Sequence, residues 1–223
     1  MKKLTIIFTI VFAMSTSSCK KFLETEPQDY LTPVNFYDTE EQLNFALAAT
    51  YSPLGDAALY AGRIGRSGLD ADDGFYDRST DIYGVSSYNV DPADPNVRSW
   101  WRTCYLGINR ANLLLANINK PAMDATKRAV IEGEAKFLRA YYYFLLVSNF
   151  GGVPLLLEPT EKIESTAVPR TPVKDVYAQI VADMEDAEKK VKTADAVGFG
   201  GRINKSAVRG LLARVNLFMA GFP

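Results

Sequence analysis

The sequence predicts an all-α protein, built of tetratricopeptide-like antiparallel helix pairs with a long irregular loop region between them. Three observations lead there. From Val97 onward, apolar residues recur at steps of three and four. Capping residues, glycines and prolines punctuate these runs at helix-length intervals. The period-two alternation of a half-buried strand is almost absent.

The chain opens with Met1-Lys2-Lys3, a short apolar run from Leu4 to Met14, and small residues from Ser15 to Ser18 ahead of Cys19. Such a run is too short to span a bilayer, and its basic and small-residue flanks read as a secretory signal over residues 1–18. Its ending on cysteine points to a lipoprotein signal, with Cys19 as the lipidated first mature residue. An ordinary signal peptide with an incidental cysteine is the alternative. No other stretch is apolar enough to cross a membrane, so lipid is the expected anchor. Residues 19–38 read as the tether, polar and interrupted by Pro27 and Pro33, and residues 39–223 as the helical domain.

Thr39-Glu40-Glu41-Gln42 fits a capping box, and a helix through Leu43, Ala46, Leu47 and Thr50 runs to an interruption near Pro53. Residues 62–96 keep no period and are rich in Gly, Asp, Ser and Tyr; irregular lengths of this kind are often functional. Helix signals return at Val97, with Trp101, Tyr105, Ile108, Asn112 and Leu115 on one face. Asp124 is placed to cap the next helix. That helix, EGEAKFLRAYYYFLLVSNF from Glu132, has the widest apolar face of the chain. It sets Ala135, Leu138, Tyr142 and Leu145 beside Phe137, Tyr141 and Phe144. Its tyrosines fit a packed core better than a ligand platform, because their spacing follows burial. Gly151-Gly152 and Pro154 end it.

After a polar loop to Arg170, Thr171 is expected as an N-cap with Pro172 as the first helical residue. Val176, Ile180, Met184, Ala187 and Val191 form the buried stripe that follows, with Lys189, Lys190 and Lys192 near the helix C-terminus. Gly198–Arg202 reads as a turn, Asn204 as a cap, and Val208, Leu211, Leu212, Val215 and Phe218 as the last apolar face before Gly221 and Pro223. No clean 34-residue repeat is visible, so the tetratricopeptide-like expectation rests on helix pairing. The last helix expects a further neighbour, and the sequence reads as unfinished there.

Composition narrows the function. A formal net charge of −1 gives no electrostatic reason to expect nucleic acid as a partner. With no histidine, histidine-based triads and the usual zinc sites are excluded, and no cofactor or metal signature appears. If Cys19 is lipidated, Cys104 lacks a partner within the chain and reads as a small apolar filler.

Several stretches together resemble the SusD/RagB family of outer-membrane lipoproteins of Bacteroidota. They are Cys19-Lys-Lys-Phe-Leu, Trp101–Tyr105 with Ile108–Asn112, GEAKFLRAYYYFLLVSNFGGVPL, VYAQIVADMEDAE, and GRINKSAVRGLLARVNLFMAG from Gly201. The resemblance implies tetratricopeptide-like helices and a lipid anchor at the cell surface. It implies a binding protein, not an enzyme, that captures glycans or peptides for a SusC-like TonB-dependent transporter barrel. It also implies that this sequence is the N-terminal half of a longer chain.

Glycan capture needs flat aromatic faces for sugar rings and short polar side chains for hydroxyls. In the loop GLDADDGFYDRSTDIYGVSSYN, Tyr76, Tyr83, Tyr88 and Asn89 are the candidates for such a site, although tyrosines pinning the loop to the helices fit equally well. Trp100 and Trp101 point in different directions on their helix; Trp101 is assigned to the core and Trp100 to possible exposure. Asp70, Asp72 and Asp73 with Gly74 miss the EF-hand pattern, since the glycine is early and no glutamate closes the loop. As a glycosidase pair these acids lack any recognisable constellation. A helical-repeat scaffold binding only other proteins is the alternative function.

Overall fold

Helix boundaries in the computed structural model follow the capping chemistry. The structure describes residues 36–62, 91, 93–160, 167–198 and 200–221. Among them run α1 (Glu40–Tyr51), α2 (Pro95–Asn117), α3 (Ala125–Phe150), α4 (Val173–Lys190), a single turn α5 (Ala194–Val197) and α6 (Lys205–Met219), with a 3-10 turn at Ser52–Gly55 closing α1. Thr39 and Gln42 form the expected reciprocal box: the Thr39 hydroxyl accepts the Gln42 amide at 3.2 Å, and the Gln42 side chain accepts the Thr39 amide at 3.1 Å. Asp124 and Asn204 cap α3 and α6 by accepting from Lys127 and Ala207.

Two boundaries differ from expectation. α2 starts at Pro95 because Asp94 accepts the Asn96 amide at 2.7 Å, giving a side-chain cap directly before a first-turn proline. α4 starts at Val173 with Pro172 as its cap residue and no side-chain cap bond. Thr171 is drawn instead into an isolated bridge with Val153, its amide donating to the Val153 carbonyl at 3.0 Å.

The pairing directions can be read from the contacts. Glu132, Lys136 and Arg139 of α3 meet Lys190, Asp186 and Asp183 of α4, so residue numbers rise on one helix as they fall on the other. Gly107 against Tyr142 and Asn112 against Arg139 give the same sense for α2 and α3. α1 and α2 oppose each other through Asp38–Lys120 and Ala49–Arg110, and α4 and α6 through Lys192–Lys205 and Glu188–Arg209. The result is the predicted all-α, tetratricopeptide-like array. The described residues contain only the single bridge as β-type pairing, and no helix among them is long and apolar enough to cross a membrane.

α3 is the centre of the array, packed against α4, α2 and α1. Tyr141, expected in the core, is only half-buried, whereas Tyr142 and Tyr143 are fully buried, as expected there. Their hydroxyls find partners, Tyr142 on the Thr50 carbonyl at 2.8 Å and Tyr143 on the Leu156 carbonyl at 2.8 Å. Tyr142 fits because position 107 is glycine: a Cβ there would lie 2.3 Å from its ring. The predicted α4 stripe is buried in full, from Val176 to Val191. The α6 face is buried only at Val208 and Val215, while Phe218 stays 43% exposed. α6 packs against α4 and, more lightly, against α3.

Arg139 and Asp183 join α3 to α4 in the interior, with Nε and Nη2 each 2.8 Å from a carboxylate oxygen. Asn112 and the Leu157 carbonyl accept from Nη1, and Gln179 also donates to Asp183. Breaking a buried pair leaves a desolvated charge without its partner. Asp183→Ala is expected to lower the unfolding free energy by about 3–5 kcal/mol. An Arg139→Met/Asp183→Leu double variant should lose less, as measured by urea denaturation. Toward the N-terminal end of α3, Glu132 and Asp186 share Lys136 and Lys190 at 2.6–2.9 Å. Burial pulls both carboxyl groups upward, but the lysine hydrogen bonds and charges outweigh it and hold both below their ordinary values. A depressed carboxyl stabilises the fold above its unfolded pKa and stops doing so as pH falls through the folded one. Stability should therefore fall on acidification through the carboxylate range, and Lys136→Met/Lys190→Met should flatten that dependence in a pH series of denaturation curves.

Candidate functional site

At the C-terminus of α3 the chain turns at Gly151, whose φ of +68° suits glycine. A Cβ on Gly152 would stand 2.5 Å from the Thr171 carbonyl, so this position also admits only hydrogen. The strap from Val153 to Thr160 then runs back along α2 and α3, held by side chains in place of a sheet ladder. Tyr105 donates to the Pro154 carbonyl at 2.7 Å. Asn112 donates to the Leu156 and Glu158 carbonyls at 2.9 and 3.1 Å. The Tyr143 hydroxyl accepts the Leu156 amide at 2.7 Å, and Asn109 accepts the Thr160 amide at 2.9 Å.

Between strap and helix lies a cleft of about 260 Å³, lined by Trp101, Tyr105, Ile108, Asn109, Asn112, Pro154, Leu156 and Thr160. Trp101 is half-buried at its rim, so it belongs to a cavity wall and not to the core assigned from sequence. Phe150 meets its ring edge-on at 5.2 Å, and the Arg170 guanidinium lies 5.6 Å from the ring centre. Arg170 also donates to the Phe150 and Gly152 carbonyls at 2.9 and 2.6 Å, tying the tryptophan to the end of α3. Burial, reinforced by the neighbouring Tyr143 phenol, raises the Tyr105 pKa and keeps its hydroxyl protonated. Among the described residues, no carboxylate, lysine or thiol lines the cleft. Ring faces, an amide and hydroxyls suit a neutral, polar-edged ligand.

Trp100 turns to another side of α2. Its indole N–H is buried without a hydrogen-bond acceptor among the described residues, near enough to influence the Cys104 thiol. Cys104 is buried, as a filler should be, and burial pushes its pKa up to about 12, leaving an unreactive thiol.

Residues 21–217 match the family described as "Starch-binding associating with outer membrane" (SusD-like). The chain belongs to the SusD-like family. A SusD-like protein of Formosa agariphila is 28% identical over 97% of this chain and 43% of its own length. Among solved structures, a laminarin-binding SusD-like protein is 30% identical with a TM-score of 0.71, covering 82% of this chain and 41% of that one. A SusD-like carbohydrate-binding protein of Bacteroides fragilis is 25% identical with a TM-score of 0.74, covering 82% and 38%. The chain spans less than half the length of these relatives.

Of the SusD-like site residues expected from sequence, Cys19, Tyr76, Tyr83, Tyr88 and Asn89 lie outside the described residues, as do Asp70, Asp72 and Asp73. The described flanks of that region, Tyr60 and Trp100, line one cavity together. Asn109 and the strap were missed as cleft components. The signal for Asn112 was present, since an amide on an otherwise apolar face implies a buried polar network. Removing that amide should free the strap: Asn112→Ala is expected to cost about 1–3 kcal/mol. It should also accelerate amide hydrogen exchange across residues 155–160, measured by mass spectrometry.

Proposed function

We propose that this chain is part of a surface lipoprotein that captures oligosaccharides and passes them, unmodified, to a SusC-like TonB-dependent transporter. An acyl group on Cys19 holds it in the outer membrane. The match of residues 21–217 to a family described as starch-binding and outer-membrane-associated carries this reading. The laminarin-binding relative supports a glucan as ligand. The Trp101–Tyr105 cleft supplies a described surface of suitable chemistry, and Tyr76, Tyr83, Tyr88 and Asn89 are proposed as further sugar contacts. Stacking against such rings needs no charge and tolerates different linkages.

Isothermal titration with starch- and laminarin-derived oligosaccharides should show saturable binding of at least one of them. Trp101→Ala should weaken it tenfold or more, and so should a quadruple alanine variant at positions 76, 83, 88 and 89. An affinity that survived the quadruple change in a folded protein would remove those four from the site. On intact cells, external protease should cleave the wild-type protein, and Cys19→Ala should fractionate away from the outer membrane. A protected, cell-retained chain would favour a scaffold that binds only proteins.

A further inference from the structure

Three groups decide how the Trp101 ring is presented to the cleft. Phe150 of α3 abuts it edge-on at 5.2 Å and 87°, and Tyr105, about one turn along α2, lies 5.1 Å away at 41°. The third, Arg170, belongs to neither helix. It precedes α4, and its guanidinium lies over the indole, 5.6 Å from the ring centre. The described lining of the cleft does not include Arg170. A contact effect of this arginine on a ligand there has to pass through the tryptophan.

Arg170 reaches this place through residues outside the cleft. Gly152 has no Cβ, and one would stand 2.5 Å from the Thr171 carbonyl. That close approach lets Thr171 pair with Val153, its amide donating to the Val153 carbonyl at 3.0 Å. The pairing brings the neighbouring Arg170 beside the end of α3. There a single guanidinium nitrogen, Nη1, donates to both the Phe150 and Gly152 carbonyls, at 2.9 and 2.6 Å. Carbonyls at a helix C-terminus lack intrahelical donors, and the helix dipole favours a cation beside them. Two acceptors on one nitrogen restrict the plane of the guanidinium. A flat cation can lie on a ring while its edge makes hydrogen bonds, whereas lysine carries the charge without the plane.

This matters for binding because a side chain that its ligand must first order subtracts that cost from affinity. Trp101 is only half-buried, so packing encloses part of its ring and leaves the rest to be held by other means. We infer that Arg170 is the positioning residue of the cleft: it holds the Trp101 ring in the attitude that receives a sugar, without touching the sugar itself. The inference rests on the Trp101 cleft as the site of capture and adds the residue that prepares it.

The test combines isothermal titration, using starch- and laminarin-derived oligosaccharides, with spectroscopy of Trp101 on variants that a urea transition shows to be folded. The sequence has two tryptophans, so a Trp100→Phe background, which should bind as the wild type does, leaves Trp101 as the sole reporter. In that background Arg170→Gln should lower affinity about fivefold, the order expected for immobilising one large side chain. It should also shrink the near-ultraviolet circular dichroism band of Trp101 and make its fluorescence easier to quench with acrylamide. Arg170→Lys should recover little of either. If Trp101→Ala abolishes binding while Arg170→Gln leaves it intact, the cleft stands and the positioning role is wrong. Lower affinity with an unchanged Trp101 band would point to direct contact or charge, and would overturn the role equally. So would an Arg170→Lys variant indistinguishable from its parent. Binding that ignores Trp101→Ala would remove the cleft as the capture site, and this inference with it.

Discussion

Arg139 brings a guanidinium to the point where α2, α3, α4 and the strap meet, and that charge must be satisfied there because the side chain is buried. It donates to Asp183 on α4, Asn112 on α2 and Leu157 in the strap. Hydrogen bonds have directions, and apolar contacts largely do not. The close approach of Lys190 and Val191 to Gly133 already limits how α4 can lie on α3. The Arg139–Asp183 pair and the alternating charges at Glu132, Lys136, Asp186 and Lys190 allow one register. The half-buried end of that ladder, at Glu132, Lys136, Asp186 and Lys190, contributes less than the buried Arg139–Asp183 pair, since part-solvated ion pairs are weaker. Its contribution is to which arrangement forms.

Seen this way, the amide of Asn112 has two tasks. Its oxygen completes the arginine's coordination, and its nitrogen carries two strap carbonyls. The strap is in turn one wall of the Trp101 cleft, so the register of the helices and the shape of the cleft are set by the same side chains. Arg170 extends this to the rim, fixing Trp101 while satisfying carbonyls at the α3 terminus.

Most of the fold was legible because helices declare themselves through local chemistry. Thr39, Asp124 and Asn204 announce their helices, and the stripe from Val176 to Val191 announces its buried face. The failures came where a residue was recruited from a distance. Thr171 is a good cap by composition, but its backbone pairs with Val153, eighteen positions earlier, and no window around Thr171 contains that fact. Trp101 fell on the expected face, yet a face of α2 includes its cleft as well as its core. The half-exposed Phe218 shows the same limit, since periodicity says which side is apolar and not whether anything covers it. The cleft depends on the strap, whose path is fixed by hydrogen bonds from residues 13 to 51 positions away. Such long-range partners leave almost no mark on local sequence.

The way the strap is attached has a consequence for how a family can diversify. Beyond the buried Val153, it is gripped through its own backbone, by Tyr105, Asn112 and Tyr143, and not through the side chains of Leu156 or Thr160. Drift at Leu156 or Thr160 would repaint the lining of the cleft without loosening its frame. Paralogues could thus retune what the cleft accepts while inheriting the same helices.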